Sequence, residues 1–317
     1  MRKSIWLWTF LILFGFTSAG LAAEYPARQI TVVIPTTPGG SAGISGMILM
    51  EAMKKQLNQV LVINYKPGAL QAVGTEAVLN ARPDGYTLGY TYEPDLASKI
   101  LLEGKNLSWG KDDFTHIGIT AFSPFLLWVK NDAPWKTFEE LVSYGRNNEL
   151  SYGTPGIGAM SHIYVELLAQ KTGIKVNHVP YSGSGEVTTA LLGGHLNMTL
   201  GVLGRLKPHY DSGMVRPLVS FADDRIAEAK DVPTAKEKGV AMRAYNYHHL
   251  WAQKALPADI TSRLLTAFEN AVKDPQFQAN LTKAGFEPRL VLGKDAKELW
   301  EGDFKIVEGV ISQWTKK

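Results

Sequence analysis

Two short stretches hold the residue types and spacings that could do chemistry. The first is Gly39-Gly40-Ser41-Ala42-Gly43. Its G-x-S-x-G spacing is that of a nucleophile elbow, in which a serine on a strand-to-helix turn attacks an acyl carbon. The same residues can equally cradle an anion. Glycines let a ligand approach the backbone, and a helix opening there offers free N–H groups and the positive end of its dipole. The second stretch, Leu150 to Gly173, repeats the plan, with Gly153, Pro155, Gly156 and Gly158 in a turn ahead of a helical run. Either loop alone is also an ordinary strand-to-helix turn with glycines for packing. Two of them, with helix starts about 120 residues apart, suggest two lobes sharing one ligand.

The elbow reading fits poorly. An elbow needs strands and an oxyanion loop upstream, and only about fifteen residues of a processed chain precede the motif, with no H-G-G segment among them. The strand also ends at Pro35, and Thr36-Thr37-Pro38 intervene where an elbow would already have turned. Binding is therefore favoured, and a secreted hydrolase using Ser41 is the alternative. The seven histidines form no metal pattern: His248 and His249 are adjacent and would point to opposite faces of a strand, and H-E-x-x-H is absent. His162, at a helix start, reads as structural. Gly153 to Gly158 spells G-x-x-G-x-G, which is neither the Rossmann nor the Walker spacing, so no cofactor and no metal are expected.

The elements that must position these loops follow from hydrophobic pattern. Ile30 to Ile34 is a β-branched run suited to a strand buried on both faces. Ile44, Met47, Ile48, Met53 and Leu57 recur at helical spacing, so a helix starts at about Ser41 to Gly43. Val60 to Ile63 and Tyr86 to Thr91 give two more buried strands, separated by a helix through Ala72 to Leu79 and the turn Arg82-Pro83-Asp84-Gly85. This β-α-β-α-β order predicts a parallel sheet with ligands at the C-terminal strand ends, which puts Tyr92 and Glu93 on the rim with the first glycine loop. Phe125 to Val129 reads as a strand crossing into a second α/β series with strands near Leu150, Val176, Leu196 and Pro217; Gly183-Ser184-Gly185 opens another helix there. His249 to Gln253 reads as the return crossing. The tail carries helices starting near Pro257, at Pro275 with Asp274 as N-cap, and near Asp295, whose pairing with Glu298 resembles a capping box. Leu299, Phe304, Val307, Val310, Ile311 and Trp314 are expected to face inward from the last helix.

Length and ordinary composition allow one or two domains with a well-buried core. Arg2 and Lys3, the apolar run Ile5 to Phe16 and the small residues up to Ala23 have the layout of a cleavable signal peptide. Without Arg2 and Lys3 the chain holds 31 basic and 30 acidic residues, a formal +1, which gives no support to a nucleic-acid partner. Zero cysteines fit a compact exported protein that folds on its core alone. The expected organisation is residues 1–23 as signal peptide, 24–124 with 247–317 as the first lobe, and 125–246 as the second. The fold class expected is α/β: two lobes, each a mainly parallel sheet flanked by helices, joined by hinge strands.

Nearly the whole processed chain resembles the periplasmic solute-binding receptors of tripartite tricarboxylate transporters, the Bug receptors. The resemblance lies in Tyr25-Pro26-Ala27-Arg28-Gln29-Ile30-Thr31, Pro38-Gly39-Gly40, Arg82 to Leu88, Asp113-Phe114-Thr115, Tyr152-Gly153-Thr154, Ser161-His162, Val179-Pro180-Tyr181, Leu191 to Gly194 and Asp231-Val232-Pro233-Thr234. It implies a periplasmic, non-catalytic monomer whose lobes close on a small organic acid, held by water and by backbone groups of both glycine loops, for delivery to integral-membrane transporter subunits. The candidate ligand contacts are Thr36, Thr37, Gly39, Gly40, Ser41, Tyr92, Glu93, Thr154, Gly158, Ala159, Met160, Ser161 and Ser184. This chain has Gly43 where the family commonly has Asp, and Ala159 and Met160 where it commonly has hydroxyl residues. With those polar groups missing and Glu93 on the rim to repel a second carboxylate, a monocarboxylate with an apolar or aromatic body is expected over an amino acid or tricarboxylate.

Overall fold

The computed structural model describes residues 24–314, with side chains as far as Ser312. The signal segment and the inward placement of Trp314 fall outside the described residues. The β-branched run forms β1 (Ile30–Ile34), paired in parallel with β2 (Leu61–Tyr65) and with β3 (Thr87–Glu93). The crossovers are α1 (Ser41–Leu57) and α2 (Ala72–Leu79). β2 is the edge of the sheet, so it alternates buried and open residues, with Val62 40% exposed, instead of being buried on both faces. After β3 comes α3 (Asp95–Glu103).

The element that joins the halves is β4 (Phe114–Lys130), much longer than the apolar run Phe125 to Val129 that announces it. Its first half pairs with β9 (Tyr245–Gln253) and β10 (Glu287–Leu292), its second half with β7 (Thr199–Val202) and β8 (Val215–Ser220). Between these the second lobe runs through α4 (Phe138–Asn147), β5 (Glu149–Thr154), α5 (Met160–Thr172), β6 (Lys175–Pro180), α6 (Ser184–Leu192) and, after β7, α7 (Leu203–Asp211). β5 and β6 pair in parallel, and a bridge from Tyr152 to Met198 ties them to the strand beside β4. β9 returns the chain antiparallel to β4, and α8 (Ala258–Lys273), α9 (Pro275–Lys283), β10 and α10 (Gly293–Trp314) complete the first lobe.

The first-lobe sheet has the order β10-β4-β9-β3-β1-β2 and is mixed. Only β3, β1 and β2 run parallel. The two crossing strands run in opposite directions by necessity, and β10, which the sequence reading missed, adds a further antiparallel pair. One core packs β1 and α1 against α8 through Ile30, Val32, Ile34, Leu49, Met53 and Phe268. The other gathers Leu127, Leu141, Tyr152, Ile163 and Leu168. Each such side chain contributes about 1.5–3 kcal/mol by leaving water. The C-terminal part of α10 crosses over, placing Val307 and Val310 in that second core, whereas Leu299 is 37% exposed and faces solvent. Asp274 caps α9 by accepting the Gln276 N–H at 2.8 Å. α10 instead begins at Gly293, so Asp295 lies in its first turn and not at the expected cap.

Candidate functional site

A cleft of about 1010 Å³, its open mouth included, lies where the C-terminal ends of β1, β3 and β7 meet the starts of α1, α5 and α6. Thr36, Thr37, Gly40 and Ser41 line one wall. Pro35 ends β1 and Gly40 occupies the N-cap position of α1 in extended backbone, with no side-chain acceptor and no acidic residue in the first turn. The first amides of α1 therefore have no intrahelical partner and face the cleft. A helix N-terminus in that state holds an anion well.

The opposite wall carries two more helix starts in a different electrostatic state. At α5 the Met160 N–H already donates to Asp95 Oδ1 at 2.8 Å, an acidic side chain brought from α3. At α6 the first turn holds Glu186, which accepts the Ser182 N–H at 3.1 Å. Asp95 is 2% exposed, and burial pushes its carboxyl up to about 7 against the pull of the Met160 amide and the Tyr92 hydroxyl. The single guanidinium lining the cleft belongs to Arg205, in the first turn of α7, beside Tyr92, Ser184 and Gly201. Asn246 and Phe125 close the floor; the Asn246 side-chain oxygen is buried without a partner. The loop Pro67 to Gln71 completes the rim. Ala69, Leu70 and Gln71 all adopt positive φ, a conformation held in place because Gln71 Nε2 donates to the Tyr92 carbonyl at 2.8 Å and the Tyr92 N–H returns to Gln71 Oε1 at 3.3 Å.

Residues 47–314 match the model of the tripartite tricarboxylate transporter family receptor, TctC. The chain belongs to that family. It is 33% identical over 270 residues to a Cupriavidus necator protein named UPF0065 protein in gbd 5' region, covering 84% of this chain and 81% of that one. Among solved structures, MatC from Rhodopseudomonas palustris with bound malate superposes with a TM-score of 0.79 at 25% identity, over 90% of this chain and all of that one. R. palustris Rpa4515 with adipate gives 0.79 at 26% identity, over 92% and 97% of the two chains. The two-lobed architecture of this TctC receptor is thus that of periplasmic solute-binding proteins.

Of the candidate contacts in this receptor, Thr36, Thr37, Gly40, Ser41, Tyr92, Ala159, Met160, Ser161 and Ser184 converge on the cleft. Four do not. Gly39 turns to solvent at φ +82°. Glu93 points into the protein: it is fully buried and accepts from Thr91 Oγ1 at 2.8 Å and from the Leu96 N–H at 3.3 Å. Burial, with Asp303 and Asp95 nearby, raises its carboxyl well above the usual range. Thr154 is buried behind the second loop, where its hydroxyl lies 2.9 Å from the Gly156 carbonyl and 2.6 Å from His178 Nε2. Gly158, at φ +83°, packs on α3, and a Cβ there would fall 2.5 Å from Leu102 Cδ1. Gly43 also lies off the cleft, with Tyr65 where its side chain would be. His162 holds the same loop, Nδ1 accepting the Gly158 N–H at 3.1 Å while its ring stacks on His178 at 3.9 Å. His248 and His249 do lie on opposite faces of β9, one against Phe286 and the other stacked on His116.

The residues that sequence reasoning missed are those contributed by position and not by motif: Gln71, Asp95, Arg205 and Asn246. None of the four carried a local signal, although strand alternation alone turns Glu93 inward if Tyr92 faces the cleft.

Proposed function

We propose that this chain is a non-catalytic periplasmic receptor that closes two lobes on a small organic carboxylate and delivers it to the membrane subunits of a tripartite tricarboxylate transporter. The observation that carries the reading is the uncapped N-terminus of α1 opening into a cleft between two lobes of a TctC-family fold. MatC with malate and Rpa4515 with adipate support a carboxylate as the ligand. The lobes comprise residues 24–124 with 247–317, and residues 125–246, so that β4 and β9 serve as the hinge. The ligand contacts are the nine convergent residues named above, and the receptor works as a monomer. The hydrolase alternative loses ground because the side chains that share the cleft wall with Ser41 are Thr36 and Thr37, not an imidazole.

Isothermal titration of the processed chain with carboxylic acids and their amides tests this. An acid that binds should lose about 1.5–3 kcal/mol on conversion to its amide, the worth of charged hydrogen bonds. Equal affinity for acid and amide would refute the anion site.

A further inference from the structure

The 2.8 Å hydrogen bond from the Met160 N–H to Asp95 Oδ1 joins the two halves of the molecule through the protein's own atoms. Asp95 opens α3, which follows the first-lobe strand β3, and Met160 opens α5, which follows β5 of the second lobe. Other hydrogen bonds of the cleft wall stay within one lobe, Gln71 with Tyr92 in the first and Arg205 with Ser184 in the second. An acid in the first turn of α3 would ordinarily serve that helix's own free amides. This one turns its Oδ1 to the amide of another helix. It does so at a cost: Asp95 is 2% exposed, and the ion pair within α3 joins Lys99 to Glu103 and leaves Asp95 aside. A buried acid without a cation weakens the folded chain, so stability alone does not account for its place.

The surroundings bring donor and acceptor together. Ala97 of α3 is fully buried in the same core as Ile163 and Leu168 of α5. Gly158, in the loop ahead of α5, comes so near α3 that a Cβ there would fall 2.5 Å from Leu102 Cδ1 and 3.0 Å from Ser98 Oγ. The first-lobe helix α3 thus rests on the second lobe, with Asp95 at the end nearest the cleft. A helix start is where an anion is held well, and the group held at α5 is a carboxyl of the opposite lobe.

Resting on the two-lobed receptor reading above, we propose that Asp95 is an interlobe latch: its carboxyl oxygen at the start of α5 draws the lobes together as a bound anion would, so that a ligand has only α1 to fill. Breaking the Asp95–Met160 bond releases the hinge at β4 and β9.

The chain has no cysteine, so spin labels can be placed cleanly at exposed positions: Met47→Cys on α1 together with Met214→Cys or Tyr144→Cys in the second lobe. Double electron–electron resonance on the processed chain, with no acid present, then reads the distance between lobes. The wild type should give one compact population, with any longer one below about 10%. Asp95→Ala should raise the longer population about fivefold or more. Asp95→Asn, which keeps the accepting oxygen, should restore the wild-type distribution. Met160→Pro removes the donor instead of the acceptor. Proline is tolerated at the first position of a helix, and Ala159 already lies at φ −56°, ψ 147°, as a residue before proline must. It should act like Asp95→Ala, and it decides the matter should Asp95→Ala fail to fold. A distribution unchanged in either of these variants, or broadened equally in Asp95→Asn, overturns the latch. Because no acid is present, that outcome leaves the carboxylate reading standing, which fails separately if acid and amide bind alike.

Discussion

Replacing Asp95 with asparagine removes one ionisable group and keeps the oxygen that accepts the Met160 N–H. In the folded protein the Asp95 carboxyl titrates at about 7 against an ordinary 3.8, with burial as the main cause. The folded state therefore holds a proton that the unfolded chain has released, across the whole window between those values. Stability falls with rising pH wherever the unfolded state binds fewer protons, so the penalty for Asp95 is absent below pH 4 and complete above about pH 7. Asparagine carries no such slope. Integrating the linkage from pH 5 to pH 8, the wild type loses about 2 to 3 kcal/mol relative to Asp95→Asn. Urea unfolding of both chains at the two pH values, with a common m-value, measures this difference directly. A wild-type stability, taken relative to Asp95→Asn, that stays constant between pH 5 and pH 8 or that rises would refute the account of Asp95 as an acid whose carboxyl burial pushes up to about 7.

Other outcomes follow from the same geometry. Burial pushes His162 and His248 down to about 3 and His116 to about 4, and lowers His178 and His249 as well. The unfolded chain takes up their protons below about pH 6.5, opposing the raised carboxyls Glu93, Glu287, Asp95 and Asp303, the last two pushed up to about 7 and so still acting above it. Unfolding midpoints across pH 4 to 8 should thus peak near pH 6.5, and a steady rise to pH 8 would contradict this. Gly89→Ala should destabilise by roughly 1–3 kcal/mol or more in urea, because its methyl would lie 2.4 Å from the buried Trp251 ring, and a wild-type midpoint would show the packing there to be loose. A fluorophosphonate probe should leave the wild type unlabelled and Ser41→Ala should shift carboxylate affinity modestly; stoichiometric labelling of Ser41 would restore the hydrolase alternative.

The strands and helices of this chain were largely legible because most obey a simple period. β1 is a pure β-branched run, α1 announces itself by spacing and by Gly40, and Asp274-Pro275 starts α9 as an N-cap and first-turn proline should. What was not legible depends on neighbours that sequence does not name. β10 begins at Glu287-Pro288, a pair that argues against a strand until β4 supplies the edge to receive it. β2 looked buried because Leu61, Val62 and Ile63 are apolar, yet among the described residues no strand lies beyond it. In the cleft, glycine loops and hydroxyl residues stand out as motifs, and most of them do line it. Arg205 and Asn246 bear no local signature, since each is placed by the pairing of β4 with β7 or β9.

The same distinction decides how charge is arranged around the ligand. Read as sequence, the two glycine loops are equivalent anion sites, and Glu93 is a negative charge beside them. In three dimensions the equivalence is broken by Asp95, which brings a carboxyl oxygen of the protein itself to the first amide of α5 while α1 stays open. Glu93 lies on the alternate face of β3 and faces Thr91 and Leu96 instead of the cleft. An acid repels a ligand only when it faces the ligand, and Glu93 is turned inward, where burial pushes its carboxyl well above the usual range. The cleft therefore meets its ligand with the open start of α1, and Glu93 adds no charge to either wall.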